Sequence, residues 1–67
     1  MNFRPNSIVT IVSQPHMAEN WIGLKFKVLK AELNDPYYLT RLLPLSERPD
    51  GHGFTPFLWT TTSLEIW

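Results

Sequence analysis

The sequence predicts an all-β fold. It would be a small barrel of five short strands with one turn of 3-10 helix before the last, in a single domain over residues 1–67. Three observations carry this reading. Six prolines and three glycines divide the 67 residues into short stretches, which suit strands of about five or six residues better than helices. Leu24, Phe26 and Val28 alternate with Lys25 and Lys27, the period of two that puts successive side chains on opposite faces of a strand. The chain closes on PFLWTTTSLEIW, two apolar runs joined by hydroxyl residues, which suits a pair of strands linked by one tight turn.

Taken in order, Ser7 to Ser13 (SIVTIVS) is rich in β-branched residues and bounded by Asn6 and Pro15, and forms the first strand. Ile8, Thr10 and Val12 would point to one side, Val9 and Ile11 to the other. QPHMAENW is polar and without period, and is a loop. In the stretch Trp21 to Leu33 (WIGLKFKVLKAEL), parity slips after Val28: Leu29, Ala31 and Leu33 are apolar while Lys30 and Glu32 are polar. One extra residue at that point restores the alternation, which is what a β-bulge supplies. The composition of residues 24–33 also suits an amphipathic helix. Trp21, Gly23, Phe26 and the clean alternation select a bent strand instead.

Asn34-Asp35-Pro36 is turn chemistry, since Asx side chains mimic a backbone turn and proline fixes φ. Tyr37 to Leu43 (YYLTRLL) makes the third strand, with Tyr38, Thr40 and Leu42 facing in and Tyr37, Leu39 and Arg41 facing out. Ser46 to Gly53 (SERPDGHG) is a polar, glycine-rich loop expected to be mobile. Phe57 to Thr60 is the fourth strand, Thr61 to Ser63 the 3-10 turn, and Leu64 to Trp67 the fifth strand. The hydroxyls of the turn are expected to satisfy backbone groups close by.

WIGLKFKVLKAELNDPYYLTRLLP followed by PFLWTTTSLEIW resembles short bacterial and phage SH3-like proteins. The shared pattern is aromatic-x-Gly, a bent strand, an Asp-Pro-Tyr-Tyr strand and a closing apolar-x-x-x-x-Leu-Glu. The layout is also similar to small barrel subunits attached to cyanobacterial and plastid electron-transfer complexes. The resemblance implies an SH3-like barrel with a role beside a larger protein. It also places the SERPDGHGF loop where such barrels often grip partners. The Ala-Leu-Tyr-Asp-Tyr signature of eukaryotic signalling SH3 domains is absent, so recognition of proline-rich peptides is not implied.

Composition narrows the function classes. There is no cysteine, which excludes disulfides and thiolate zinc sites. Six Lys and Arg balance six Asp and Glu, so the excess positive charge of strongly basic nucleic-acid binders is missing. No apolar run approaches a membrane span of about 20 residues. The N-terminal stretch lacks the apolar core of a signal peptide, so a cytoplasmic protein is expected. His16 and His52 both lie in loops, without carboxylates at ligand spacing, and read as solvated side chains. Gly51-His52-Gly53 is not followed by a helix and makes no phosphate cradle. No catalytic group, cofactor or metal is expected.

What remains is surface. Lys25 and Lys27 project from one face of the second strand, with Arg41 joining them from the third; such a stripe attracts an acidic protein surface or a nucleic-acid backbone. Trp59, Trp67 and an outward Tyr37 exceed what so short a chain readily hides. Aromatics of this kind are enriched at interfaces. The sequence therefore points to a non-catalytic protein-binding module, acting as an accessory or inhibitory subunit. Trp59, Tyr37 and Trp21 would be its anchors, rimmed by Lys25, Lys27 and Arg41. The alternatives are a KOW-like nucleic-acid-binding barrel, and a phage structural component or homo-oligomer joined through strand edges.

Overall fold

The computed structural model describes residues 3–34 and 37–67, with side chains outside 31–38. Strands β1 (Ile8–Ile11), β2 (Lys25–Asn34), β3 (Tyr37–Pro44), β4 (Phe57–Thr60) and β5 (Leu64–Ile66) follow in turn, with a 3-10 turn at Thr61–Ser63. They make one antiparallel sheet in the order β4-β3-β2-β1-β5. Val9, Ile11, Phe26, Val28, Leu42, Trp59 and Leu64, drawn from all five strands, join Trp21 in a single core. Laid flat, five strands would spread those side chains over roughly 19 Å. Their meeting in one cluster requires the sheet to curl around it.

The parity slip is the device that lets β2 curl. Val28 faces Leu42 and Lys30 faces Arg41, which leaves Leu29 as the extra residue of a bulge. Phe26 and Val28 are buried on one side of it, and Lys30 is exposed on the other. A ten-residue strand thus bends without turning a lysine into the core. On β3, Thr40 and Leu42 face inward as their parity predicts. The strands pair as far as Asn34 opposite Tyr37; Asp35 and Pro36 of the expected turn lie outside the described residues, as do the side chains of Tyr37 and Tyr38.

β1 is shorter than its β-branched run, yet its pairing continues beyond both ends. The Asn6 N–H donates to Val28 O, the Val28 N–H to Ser7 O and the Val12 N–H to Ser63 O. Asn6 has φ 72°, a left-handed conformation that asparagine accepts more readily than most residues. The chain enters β2 through a turn in which the Leu24 N–H donates to Trp21 O, with Gly23 at φ 89°. The Gly23 N–H and Leu24 O bond in turn to Ile11, which fixes Trp21 over the core.

The hydroxyls of the 3-10 turn act over long distances rather than locally. The Thr61 and Thr40 hydroxyls lie 2.8 Å apart in the buried interior, and the Ser13 hydroxyl donates to Ser63 Oγ at 2.9 Å. Thr60, at the turn's N-cap, makes no side-chain cap hydrogen bond. The reason is burial: Thr40 and Thr61 are shut away from water, and each hydroxyl there needs a partner. The pair therefore ties the turn to β3.

The loop between β3 and β4 is likewise more than a polar link. The Arg48 Nε and Nη2 grip Asp50 at 3.1 and 2.6 Å, while Nη1 donates to the Thr55 carbonyl and hydroxyl. The same guanidinium lies 4.9 Å from the ring centre of Phe57 and 5.6 Å from that of Trp21. Arg48 thus closes the loop on itself and caps the aromatic part of the core. Burial tends to raise the Asp50 pKa. The hydrogen bonds from Arg48 and the His52 N–H, with the charges of Arg48 and His52, outweigh burial and hold it below its ordinary value.

Candidate docking surface

Of the six residues singled out from the sequence, two are enclosed and three lie on the outer face. Trp21 is 2% exposed and Trp59 9% exposed, so both are core residues rather than anchors. Their rings lie 5.4 Å apart, and Trp21 also packs at 4.9 Å on Phe57 and 6.4 Å on Phe26. Parity explains the correction for Trp59. It faces Thr40 while Phe57 faces Leu42, and both partners point inward, so the β4 aromatics go with them. The Trp21 indole N–H is buried without an acceptor among the described residues, so the fold uses its ring. The Tyr37 side chain lies outside the described residues.

Lys25, Lys27 and Arg41 do share the outer face of the sheet. Lys25 stands opposite Thr10, and Lys27 stands between Ile8 on β1 and Leu43 on β3. Arg41 is two positions from Leu43 on the same face, paired with Lys30 across the bulge. Four of the six basic residues, Lys25, Lys27, Lys30 and Arg41, therefore occupy one face.

That face also holds the aromatic residue that the site reading passed over. Trp67 is 73% exposed, and its N–H donates to Ile8 O, which sets it beside Ile8 on the outer side. The Lys25 Nζ lies 5.2 Å from the Trp67 ring centre and donates to Thr10 Oγ1 at 3.1 Å. A cation over an indole face is attractive, so Lys25 holds the ring in place without covering it. The sequence signal was present in the surplus of aromatics near the C-terminus; choosing among them needed the register of β5 against β1. Arg48 was missed for a different reason. Its partners Asp50, Thr55 and Phe57 are all within nine residues of it, but SERPDGHG reads by composition as an unstructured loop.

Elsewhere two shallow depressions mark the surface. One, of about 190 Å³, runs along the edge of β4 between Met17, Leu58 and Trp59. The other, of about 330 Å³, lies between Phe3, Thr62 and Glu65. Among the described residues no three His, Asp or Glu side chains gather as metal ligands, and no helix is long and apolar enough to cross a membrane. Comparison with protein-family models, curated proteins and solved structures gives no match to this chain.

Proposed function

We propose that this chain is a non-catalytic protein-binding module that docks on a larger partner as an accessory or inhibitory subunit, through the outer face of β1, β2 and β3. One observation carries the reading: a tryptophan 73% exposed, positioned by Lys25 on the face that holds most of the basic side chains. Tryptophan and arginine are the residue types that most often anchor interfaces, and a fixed ring loses little entropy on binding. The resemblance of the sequence to small SH3-like accessory proteins agrees with this reading.

The test is capture from an extract of the source organism on immobilised chain. The intact chain is expected to retain a defined protein at moderate salt, and Trp67→Ala to lose most of it while melting at the same temperature. Retention unaffected by Trp67→Ala, or retention of nucleic acid that disappears steeply with salt, overturns the proposal.

A further inference from the structure

The register of the sheet arranges the outer face in rows. Leu45, whose N–H donates to Lys25 O, is followed across the sheet by Lys25, Thr10 and Glu65. The next row runs Leu43, Lys27, Ile8 and Trp67. Two lysines thus line the middle of the face, with leucines on the β3 side and Ile8 and Trp67 on the β1 and β5 side. Leu45 and Trp67 are exposed. Arg41 and Lys30 continue the basic line past the bulge. Glu65 is at the far end of the first row, and Glu32 holds a register position farther along, opposite Leu39.

Resting on the docking proposal, we infer that the partner presents an acidic amphipathic helix to this face, lying along β2 with carboxylates over Lys25 and Lys27 and apolar side chains on both flanks. Three physical arguments select that occupant. The first is backbone supply. At Lys25 and Lys27, β2 is paired with β1 on one side and β3 on the other, so the N–H and C=O groups beneath the two lysines are committed to the sheet. A segment laid on this face gains no main-chain hydrogen bonds and must satisfy its own backbone, as a helix does.

The second is size. A helix about 10–12 Å across covers roughly two strand spacings, which is the distance from the leucines of β3 across the lysines to Ile8. Lys25 and Lys27, two apart on a strand, are separated by roughly 6.6 Å, close to the rise of about 6 Å between helix positions four apart. The third is chemistry. Among the described residues the cations are interleaved with aliphatic side chains and one exposed ring, whereas a single-stranded nucleic-acid surface places several aromatic platforms along its cations. Carboxylates with leucine-like neighbours complement this face; phosphates and bases do not.

The experiment is an NMR titration of the ¹⁵N-labelled chain with a synthetic helical peptide that carries a stripe of glutamates flanked on both sides by leucines. The same peptide with lysine for glutamate, and a single-stranded oligonucleotide of equal charge, are titrated in parallel. Saturable shifts are expected at Ile8, Lys25, Lys27, Leu43 and Trp67. Lys25→Glu with Lys27→Glu is expected to weaken binding at least roughly tenfold, and the lysine peptide to bind that variant better than it binds the intact chain. Because Lys25 also bonds Thr10, Lys27→Glu alone is measured beside the pair, with a several-fold loss expected and an unchanged melting temperature. Absence of peptide binding, shifts centred on the β4 edge at Trp59 and Thr60, or an oligonucleotide that binds as well as the acidic peptide each overturns the inference. A failed peptide together with capture that still requires Trp67 removes the acidic helix and leaves the docking proposal standing.

Discussion

The two sides of β2 are drawn from one run of alternating residues, yet they obey opposite rules. On the inner side, Phe26 and Val28 are fully enclosed, and the buried Thr40 and Thr61 hydroxyls answer each other. On the outer side, Lys25 and Lys27 stand partly open between aliphatic neighbours, with an exposed tryptophan at the edge. Aromatic content alone does not separate the two. Trp21 and Trp59 stabilise the interior, whereas Trp67 contributes almost nothing to it. A ring's role here follows from the face it occupies, and the face follows from register.

The largest effect should come from carrying a charge from the outer side of β2 to the inner one. Val28→Lys puts an ammonium where a fully enclosed valine stands, opposite the equally enclosed Leu42. A chain of this size is stabilised by only about 3–10 kcal/mol, and an unpaired buried charge costs several kcal/mol. The substitution is therefore expected to abolish the cooperative melt, read by circular dichroism. Substitution of Leu29, the extra residue of the bulge, by alanine should keep the fold.

A smaller loss is expected at the aromatic cap. Arg48→Met keeps the aliphatic stem but removes the hydrogen bonds to Asp50 and Thr55, and should cost about 1–2 kcal/mol in chemical denaturation. The same clasp responds to acid. Because the Asp50 pKa is lowered in the folded chain, its contribution is fully present above the unfolded carboxylate pKa and is lost as pH falls through the depressed folded value. Amide signals of residues 48–55 should shift in that acidic window while those of Val9 and Leu42 stay fixed, and Asp50→Asn should remove the transition. Gly23→Ala meets open space but forces a side chain into a left-handed backbone, at about 1–2 kcal/mol. The smallest effect on stability belongs to the outer face, where Trp67→Ala and Lys27→Glu should change unfolding by about 0.5 kcal/mol or less.

Much of the fold is legible in the sequence because it depends on local pattern. The alternation of residues 24–28, the slip after Val28 and the TTTS link all have a period or a turn chemistry. The structure places a bulge at Leu29 and the 3-10 turn at Thr61–Ser63. The surface was only half legible. Lys25 and Lys27 can be assigned to one face from spacing alone, but FLW is apolar on both parities. The pairing of Trp59 with Thr40 and of Ile66 with Val9 decides which rings are enclosed. Arg48 illustrates the same limit, since its importance comes from Trp21, 27 positions earlier in the chain, meeting Phe57 beneath it.

The division of the three tryptophans between core and contact surface can be measured directly by following their indole N–H signals in the presence of a dissolved paramagnetic agent. Strong broadening of the Trp67 signal is expected, with little effect at Trp59 and none at Trp21. Equal broadening at Trp21 or Trp59, or a protected Trp67, would contradict the assignment of the outer face.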